Sequence, residues 1–372
     1  MSSFTFRITA EDSSTGARTG LAVTPHGAFE TPNFMPVATH GAVKGLEPAE
    51  LRAAGVQILL ANAFHLGLRP GAGAVRSLGG VHGFSGFDGP ILTDSGGYQV
   101  FSLADANVVT DEGVRFRSPI DGSELFVTPE ESIRAQRAIG ADLVMAFDEC
   151  PPAGAAPEVV RRAADRTLAW AERSLAAFDR GGPQAILGIV QGGTDLALRT
   201  ECAGRIAALP FDSFAIGGVG VGEEKGLVRS VVEHTAPLLP RDRLRYLMGI
   251  GLPGDFLHAV GAGVDLFDCV VPSRNGRNGT AFTSRGLVRI RNAAHALDPG
   301  PLDPDCPCAT CRGGPSRAFL RHLFATGDHL GGALLTRHNV AFFEAFLAGA
   351  RNAIRSGGFG AFRARWQAVY PT

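Results

Sequence analysis

Lysine is almost missing from this sequence: Lys44 and Lys225 are the only two among its 35 basic residues, and arginine supplies the rest. Alanine and glycine are abundant at the same time, so a GC-rich coding bias accounts for the imbalance, which carries no message about phosphate binding. Net charge is equally scarce, at −1 with histidine neutral. The molecule as a whole is no polyelectrolyte, and any nucleic-acid surface has to be a local patch. No run of about 18 consecutive apolar residues exists, which excludes a membrane-spanning helix. Met1 to Ala10 lacks a signal-peptide pattern, so the expected location is cytoplasmic. An even cysteine framework is missing too. Cys306, Cys308 and Cys311 cluster while Cys150, Cys202 and Cys269 are scattered, which disfavours a secreted disulfide scaffold and fits a metal site.

What is present is apolar and periodic. The 372 residues are 45% hydrophobic and 19% charged, enough for one large barrel with an appended unit or for two modest domains. Phe4 to Phe34 alternates and turns like antiparallel hairpins. Short continuous apolar runs then recur at Phe34–Val37, Ile58–Leu60, Pro90–Leu92, Leu143–Phe147, Ala185–Val190, Ser213–Ile216, Arg245–Met248 and Val264–Phe267. Continuous rather than alternating hydrophobicity predicts strands buried on both faces. Helical stretches separate them. Thr128-Pro129-Glu130-Glu131 combines an N-cap, a first-turn proline and a capping glutamate, and Gly140 closes that helix. Others are expected over 157–179, 195–208, 226–239 and 253–260. Strand and helix alternating eight times predict an α/β fold, a (β/α)8 barrel. A doubly wound open sheet is the alternative, and the lack of a G-x-G-x-x-G after the first strand counts against it. Leu103 to Val127 reads as inserted hairpins, and Asn278 to Asn292 as a further hairpin. The expected division is 1–292 for the barrel with its hairpins and 293–372 for a metal-binding subdomain with closing helices.

In such a barrel the chemistry sits at the carboxyl ends of the strands. Those ends carry Asp94, Asp148, Gln191, Gly217-Gly218, Gly249 and Asp268. One aspartate after a strand is commonly a helix cap or turn former. Three at equivalent ends, with glycine-rich turns nearby, point to a catalytic cleft. Two close carboxylates suit glycosyl transfer, one attacking the anomeric carbon and the other handling protons. A purine pocket needs a carboxylate, an amide and accessible backbone; Gln191 offers the amide and Gly217 to Gly220 the backbone, beside the strand-end aspartates.

Cys306-x-Cys308-x-x-Cys311 predicts a Zn2+ site, with His322, His329 and His338 as candidates for the fourth ligand. Four protein ligands make a closed, structural site. No acidic residue occurs between Asp268 and Asp298, whereas Arg274, Arg277, Arg285, Arg289 and Arg291 do, so an RNA-facing surface is expected beside Asp268. Arg274 to Gly279 reads as a turn-rich loop.

Together these residues resemble the bacterial tRNA-guanine transglycosylase family over nearly the whole chain. The matching segments are Gly41 to Leu46, Asn62 to Leu66, Leu92 to Val100, Ala146 to Cys150, Gly217 to Glu223, Tyr246 to Gly249, Phe267 to Gly279, Cys306 to Cys311 and His338-Asn339. The resemblance implies Asp268 as nucleophile, Asp94 as general acid/base and Tyr98 stacking on the purine. It further implies Asp148, Gln191 and Gly218 reading the base edge, Val219 and Met248 lining the pocket, Arg274 and Arg277 on the RNA, and His338 as the fourth zinc ligand. The reaction implied is exchange of guanine at wobble position G34 of tRNAs with GUN anticodons for preQ1, toward queuosine, by a homodimer. Cys150 resembles the preQ1-using bacterial form, and archaeal relatives carry a further C-terminal RNA-binding domain that is not expected here. Val219, Gly220 and Leu252 depart from the residues usual at those positions.

Two other readings stand beside this one. A zinc-dependent barrel hydrolase would place histidines at the strand ends around an open metal, whereas aspartate, glutamine and glycine occupy them. A non-catalytic RNA-binding subunit would lack the nucleophile, whereas Asp94 and Asp268 are both present.

Overall fold

The computed structural model of the chain describes residues 4–97 and 107–371. Eight parallel strands close into a barrel: β1 (Asn33–Ala38), β2 (Leu59–Ala61), β3 (Ile91–Thr93), β4 (Leu143–Met145), β5 (Ala185–Val190), β6 (Ser213–Ile216), β7 (Arg245–Leu247) and β8 (Leu266–Cys269). Each strand pairs with its neighbours in sequence, and β8 returns to β1 with Asp268 opposite Met35. The strands fall on the eight apolar runs, and the runs are continuous because both faces are covered. In β5, Ala185, Leu187 and Ile189 point inward to pack with Leu60, Leu92, Met145 and Leu266. Ile186 and Val190 face the outer helices.

Local signals set the helix ends. Thr128 and Glu131 form a reciprocal capping box at the start of the helix Pro129–Ile139, and Gly140 ends it in the left-handed region at φ 77°. Asp195 caps Leu196–Ala207 by accepting from the N–H groups of Ala197 and Leu198.

A three-stranded antiparallel sheet (Thr5–Glu11, Arg18–Thr24, Gly27–Thr31) covers the end from which the barrel strands start. Its Ala22 and Phe29 join the inner apolar cluster. Arg18 clamps both carboxylate oxygens of buried Asp265, just ahead of β8, at 3.0 and 2.6 Å. With that end sealed, the cleft is confined to the opposite end. The insertion after β3 contributes a second antiparallel sheet (Val108–Val109, Val114–Arg117, Glu124–Val127).

After β8 come the helix Val271–Arg277, the hairpin Thr280–Thr283/Gly286–Arg289, and helices Arg317–Thr326, His329–Arg355 and Phe359–Val369. The long helix sends Phe343, Phe346 and Leu347 into the cluster that holds Phe34, Phe256 and Phe267. The C-terminal helices are therefore welded to the barrel by aromatic packing. One expectation is corrected: residues 271–277 are helical, not a loop running from Arg274 to Gly279. Gly276 is a close-packing residue rather than a turn, since a Cβ there would stand 2.6 Å from the backbone nitrogen of Thr336. The turn proper is made by Asn278 and Gly279, the latter at φ 85°. Among the described residues, no helix is long and apolar enough to cross a membrane.

Candidate active site

The parity of β7 and β8 dictates what meets at the mouth. Tyr246 and Leu266 belong to the inner cluster, so Asp268, two residues beyond Leu266, faces the same interior. The Tyr246 hydroxyl donates to Asp268 Oδ1 at 2.6 Å, and the Gly249 N–H donates to the same oxygen at 2.7 Å. Oδ2 carries no hydrogen bond among the described residues. Burial raises the Asp268 pKa from its ordinary value, and the two donors partly offset the rise. Burial also pushes the Tyr246 phenol well up, with Asp268 and then Asp94 adding to it. Tyr246 is thus a fixed, protonated donor that feels both carboxylates.

Asp94, directly after β3, is held by neighbours at the end of β2. Its Oδ2 accepts from the Asn62 amide at 2.5 Å and its Oδ1 from the Ala63 N–H at 2.9 Å. Asn62 does double service, because its own oxygen caps the helix Ala63–Leu66 through the His65 N–H.

Ser95 links this corner to the next by donating to Asp148 Oδ1 at 3.3 Å. Gln191 Nε2 donates to Asp148 Oδ2 at 2.8 Å. Burial pushes the Asp148 carboxyl up to about 6. The other amide atom, Gln191 Oε1, is buried without a hydrogen-bond partner among the described residues. It lies where a side chain on Gly218 would be: a Cβ there would stand 2.0 Å from it, and Gly218 is left-handed at φ 64°. A Cβ on Gly217 would meet Gln191 Nε2 at 3.1 Å and Met248 Sδ at 3.5 Å. Fully buried Arg199 ties these loops together by donating to the carbonyls of Val190, Gly193 and Gly218. Asp94, Asp148, Gln191, Gly218, Met248 and Asp268 therefore form a continuous arc around the mouth. Val219 is placed differently: its side chain is buried in the outer apolar cluster with Ile250 and Val231. Tyr98 lies outside the described residues.

The basic stretch starts one turn beyond β8. Arg274 is exposed and Arg277 half-buried on the helix Val271–Arg277. Arg277, Arg291 and Lys44 line one cavity of about 320 Å³. Arg291 also lies over the Phe324 ring at 4.9 Å, and Arg285 pairs with Asp305 at 3.5 Å.

The ligand atoms of Cys306, Cys308, Cys311 and His338 all lie within 4.8 Å of one another, so this group can hold a metal ion. Bonds of about 2.3 Å to sulfur and 2.0–2.1 Å to nitrogen place tetrahedral S···N pairs about 3.5 Å apart. His338 Nδ1 is 3.5 Å from the sulfur of Cys308 and 3.3 Å from that of Cys311. The opposite ring nitrogen of His338 is turned to the Phe282 carbonyl at 2.7 Å, the outer contact that orients a metal-binding imidazole. Three soft thiolates, one imidazole and no open position suit a tetrahedral d10 ion.

Asn62, Tyr246 and Arg199 were not singled out from the sequence. The inward parity of β7 was a signal for Tyr246. Asn62 and Tyr246 both lie in segments that carry the family resemblance, which assigns neither a role. A buried arginine in the amphipathic helix Leu196–Ala207 leaves no local signal.

Residues 12–372 match the family model described as queuine tRNA-ribosyltransferase. A protein of that name from Stenotrophomonas maltophilia (strain R551-3) is 48% identical over 99% of this chain and 98% of its own length. One from Nitrosomonas europaea is 49% identical over 93% of each chain. One from Novosphingobium aromaticivorans is 48% identical over 100% of this chain and 99% of its own.

Proposed function

The chain belongs to the queuine tRNA-ribosyltransferase family, and from that premise we propose that it exchanges guanine at G34 of tRNAs with GUN anticodons for preQ1 through an ester between Asp268 and the ribose. It is a pentosyltransferase that acts on tRNA. The observation that carries the finer reading is the state of Asp268: one oxygen is held by Tyr246 and Gly249, and the other is left for attack.

Asp268 Oδ2 attacks C1′ of a nucleotide extruded from its stack, and the C1′–N9 bond breaks. The electron pair leaves with guanine, which takes a proton from Asp94. PreQ1 then enters, Asp94 takes back a proton from its N9, and that nitrogen attacks C1′ to release Asp268. Two inversions give retention, and the proton on Asp94 is restored. Asp148 accepts from the donor edge of the purine, while Gln191 and the Gly218 backbone serve its carbonyl. Tyr98 stacks on the ring, and Met248 with the Val219 loop bounds the pocket. Arg274 and Arg277 meet the RNA phosphates. The Cys306, Cys308, Cys311 and His338 set holds a structural Zn2+. The working form is a cytoplasmic homodimer, with 1–292 as the catalytic unit and 293–372 as the zinc-binding unit. The test is base exchange on unmodified tRNA with guanine and preQ1 compared. Both bases should enter with ping-pong kinetics, and failure of preQ1 to enter overturns the assignment.

Two smaller predictions arise from the base pocket. Asp148 must be ionised to accept two N–H groups, and burial holds its pKa at about 6. As pH falls through 6, the KM for the incoming base is expected to rise, by about tenfold per unit once the carboxyl is mostly protonated. In Asp148→Asn the KM should be high at every pH and lose this slope, as steady-state assays between pH 5 and 8 will show. Gly218→Ala would drive a methyl into Gln191 Oε1 at a left-handed position. A KM for the base raised by about tenfold or more is expected, with the thermal midpoint lower by a few degrees.

A further inference from the structure

At the closed end of the barrel, away from the cleft, we propose a second divalent-metal site made by His26, His82 and Asp142, taking a borderline ion of the Zn2+, Co2+ or Ni2+ class. Three separate segments bring these residues together. His26 sits in the turn between the strands Arg18–Thr24 and Gly27–Thr31, His82 in the short helix Gly80–Ser85, and Asp142 one residue ahead of β4. His26 Nδ1 lies 2.8 Å from Asp142 Oδ1, and His82 Nε2 lies 3.1 Å from Oδ2. All three ligand atoms lie within 4.8 Å of one another.

The carboxylate is built in rather than adventitious. Asp142 is 2% exposed, and its two oxygens also accept from the backbone N–H groups of His26 at 3.3 Å and Ile91 at 2.9 Å. Those bonds fix its orientation and leave one lone pair per oxygen for whatever lies between it and the imidazoles. In the structure these are hydrogen bonds. An ion taking their place needs ligand atoms about 3.4 Å apart, given bonds of about 2.0–2.2 Å, so the two imidazole–carboxylate separations of 2.8 and 3.1 Å have to open by roughly half an ångström. The rings stack at 3.5 Å and 13°, and each turns one ring nitrogen to Asp142. Bringing the ion into both ring planes requires one ring to turn. His26 is 41% exposed and can do so, whereas His82 is 9% exposed. A neighbouring cavity of about 200 Å³ lined by His26, Asp142 and Asp179 leaves room for water in the remaining positions. Two imidazoles and one carboxylate suit borderline ions over Ca2+ or Mg2+. Bound there, the ion would staple the sealing sheet to the barrel floor and stabilise the fold by mass action.

The full chain, with its Cys306, Cys308, Cys311 and His338 group loaded with zinc, is dialysed to equilibrium against Zn2+ or Ni2+, and metal per chain is counted. The wild type is expected to hold two ions and to gain several degrees in thermal midpoint. His26→Ala removes an exposed ligand and should hold one ion, with base exchange unaltered. His82→Gln tests the same loss from the buried side. One ion per wild-type chain at saturating metal overturns the proposal, as does a second ion retained by both variants.

Discussion

Asp268→Asn is expected to lower base exchange on the order of 10,000-fold or more and to remove the covalent RNA adduct from denaturing gels. An amide fits the same space and can still accept from Tyr246 and Gly249, so the fold of β8 and the mouth should persist. What is lost is the negative charge that attacks C1′ in the proposed reaction, an interaction made only along the reaction coordinate, so kcat should collapse while tRNA binding is retained. Tyr246→Phe provides the calibration. It deletes one donor, at 2.6 Å from Oδ1, but keeps the attacking group. Hydrogen bonds to charged groups contribute about 1.5–3 kcal/mol, so a loss of roughly 10- to 100-fold is expected there, with the adduct still trapped. A covalent band persisting in Asp268→Asn would reject the nucleophile assignment outright.

The strand ends were legible in the sequence because the barrel converts a one-dimensional signal into position. A continuous apolar run ending in aspartate or glutamine becomes a buried strand ending at the mouth. Asp94, Gln191 and Asp268 were found that way. The hydrogen bonds that tune them were not, since Asn62 to Asp94 and Ser95 to Asp148 join different strands whose register no local pattern encodes. Gly276 is ambiguous in the sequence for a related reason. Glycine marks a turn or a close approach with equal force, and only the helix His329–Arg355 lying against it decides between them. The His26–Asp142 contact joins residues 116 positions apart and left no trace in composition or spacing. The cysteine cluster is the opposite case: three ligands within six residues declare a metal site locally, while the fourth ligand, 27 residues beyond Cys311, depends on the fold.

That fourth ligand makes Cys308→Ser the second large perturbation. His338 and Asn339 are adjacent on the long helix and hold the segment that follows Asp268. His338 reaches the Phe282 carbonyl, while Asn339 accepts from the Phe282 N–H and donates to the carbonyls of Pro272 and Thr280. A metal bound to His338 would therefore fix the helix Val271–Arg277 and the hairpin beyond it, the platform for Arg274 and Arg277. Structural zinc contributes about 10–16 kcal/mol in isolated finger peptides. Here aromatic packing by Phe343 and Phe346 holds much of the long helix without it. A loss of about 5 kcal/mol and a thermal midpoint lower by on the order of 10 °C are expected. Asp268, Tyr246 and Asp94 lie inside the barrel, so the KM for tRNA should rise about tenfold or more, while kcat at saturating tRNA falls less. Metal content, calorimetry and steady-state kinetics on the same preparation read all three. The opposite pattern, kcat lost with the thermal midpoint and KM intact, would assign the metal to the chemistry and overturn its structural role.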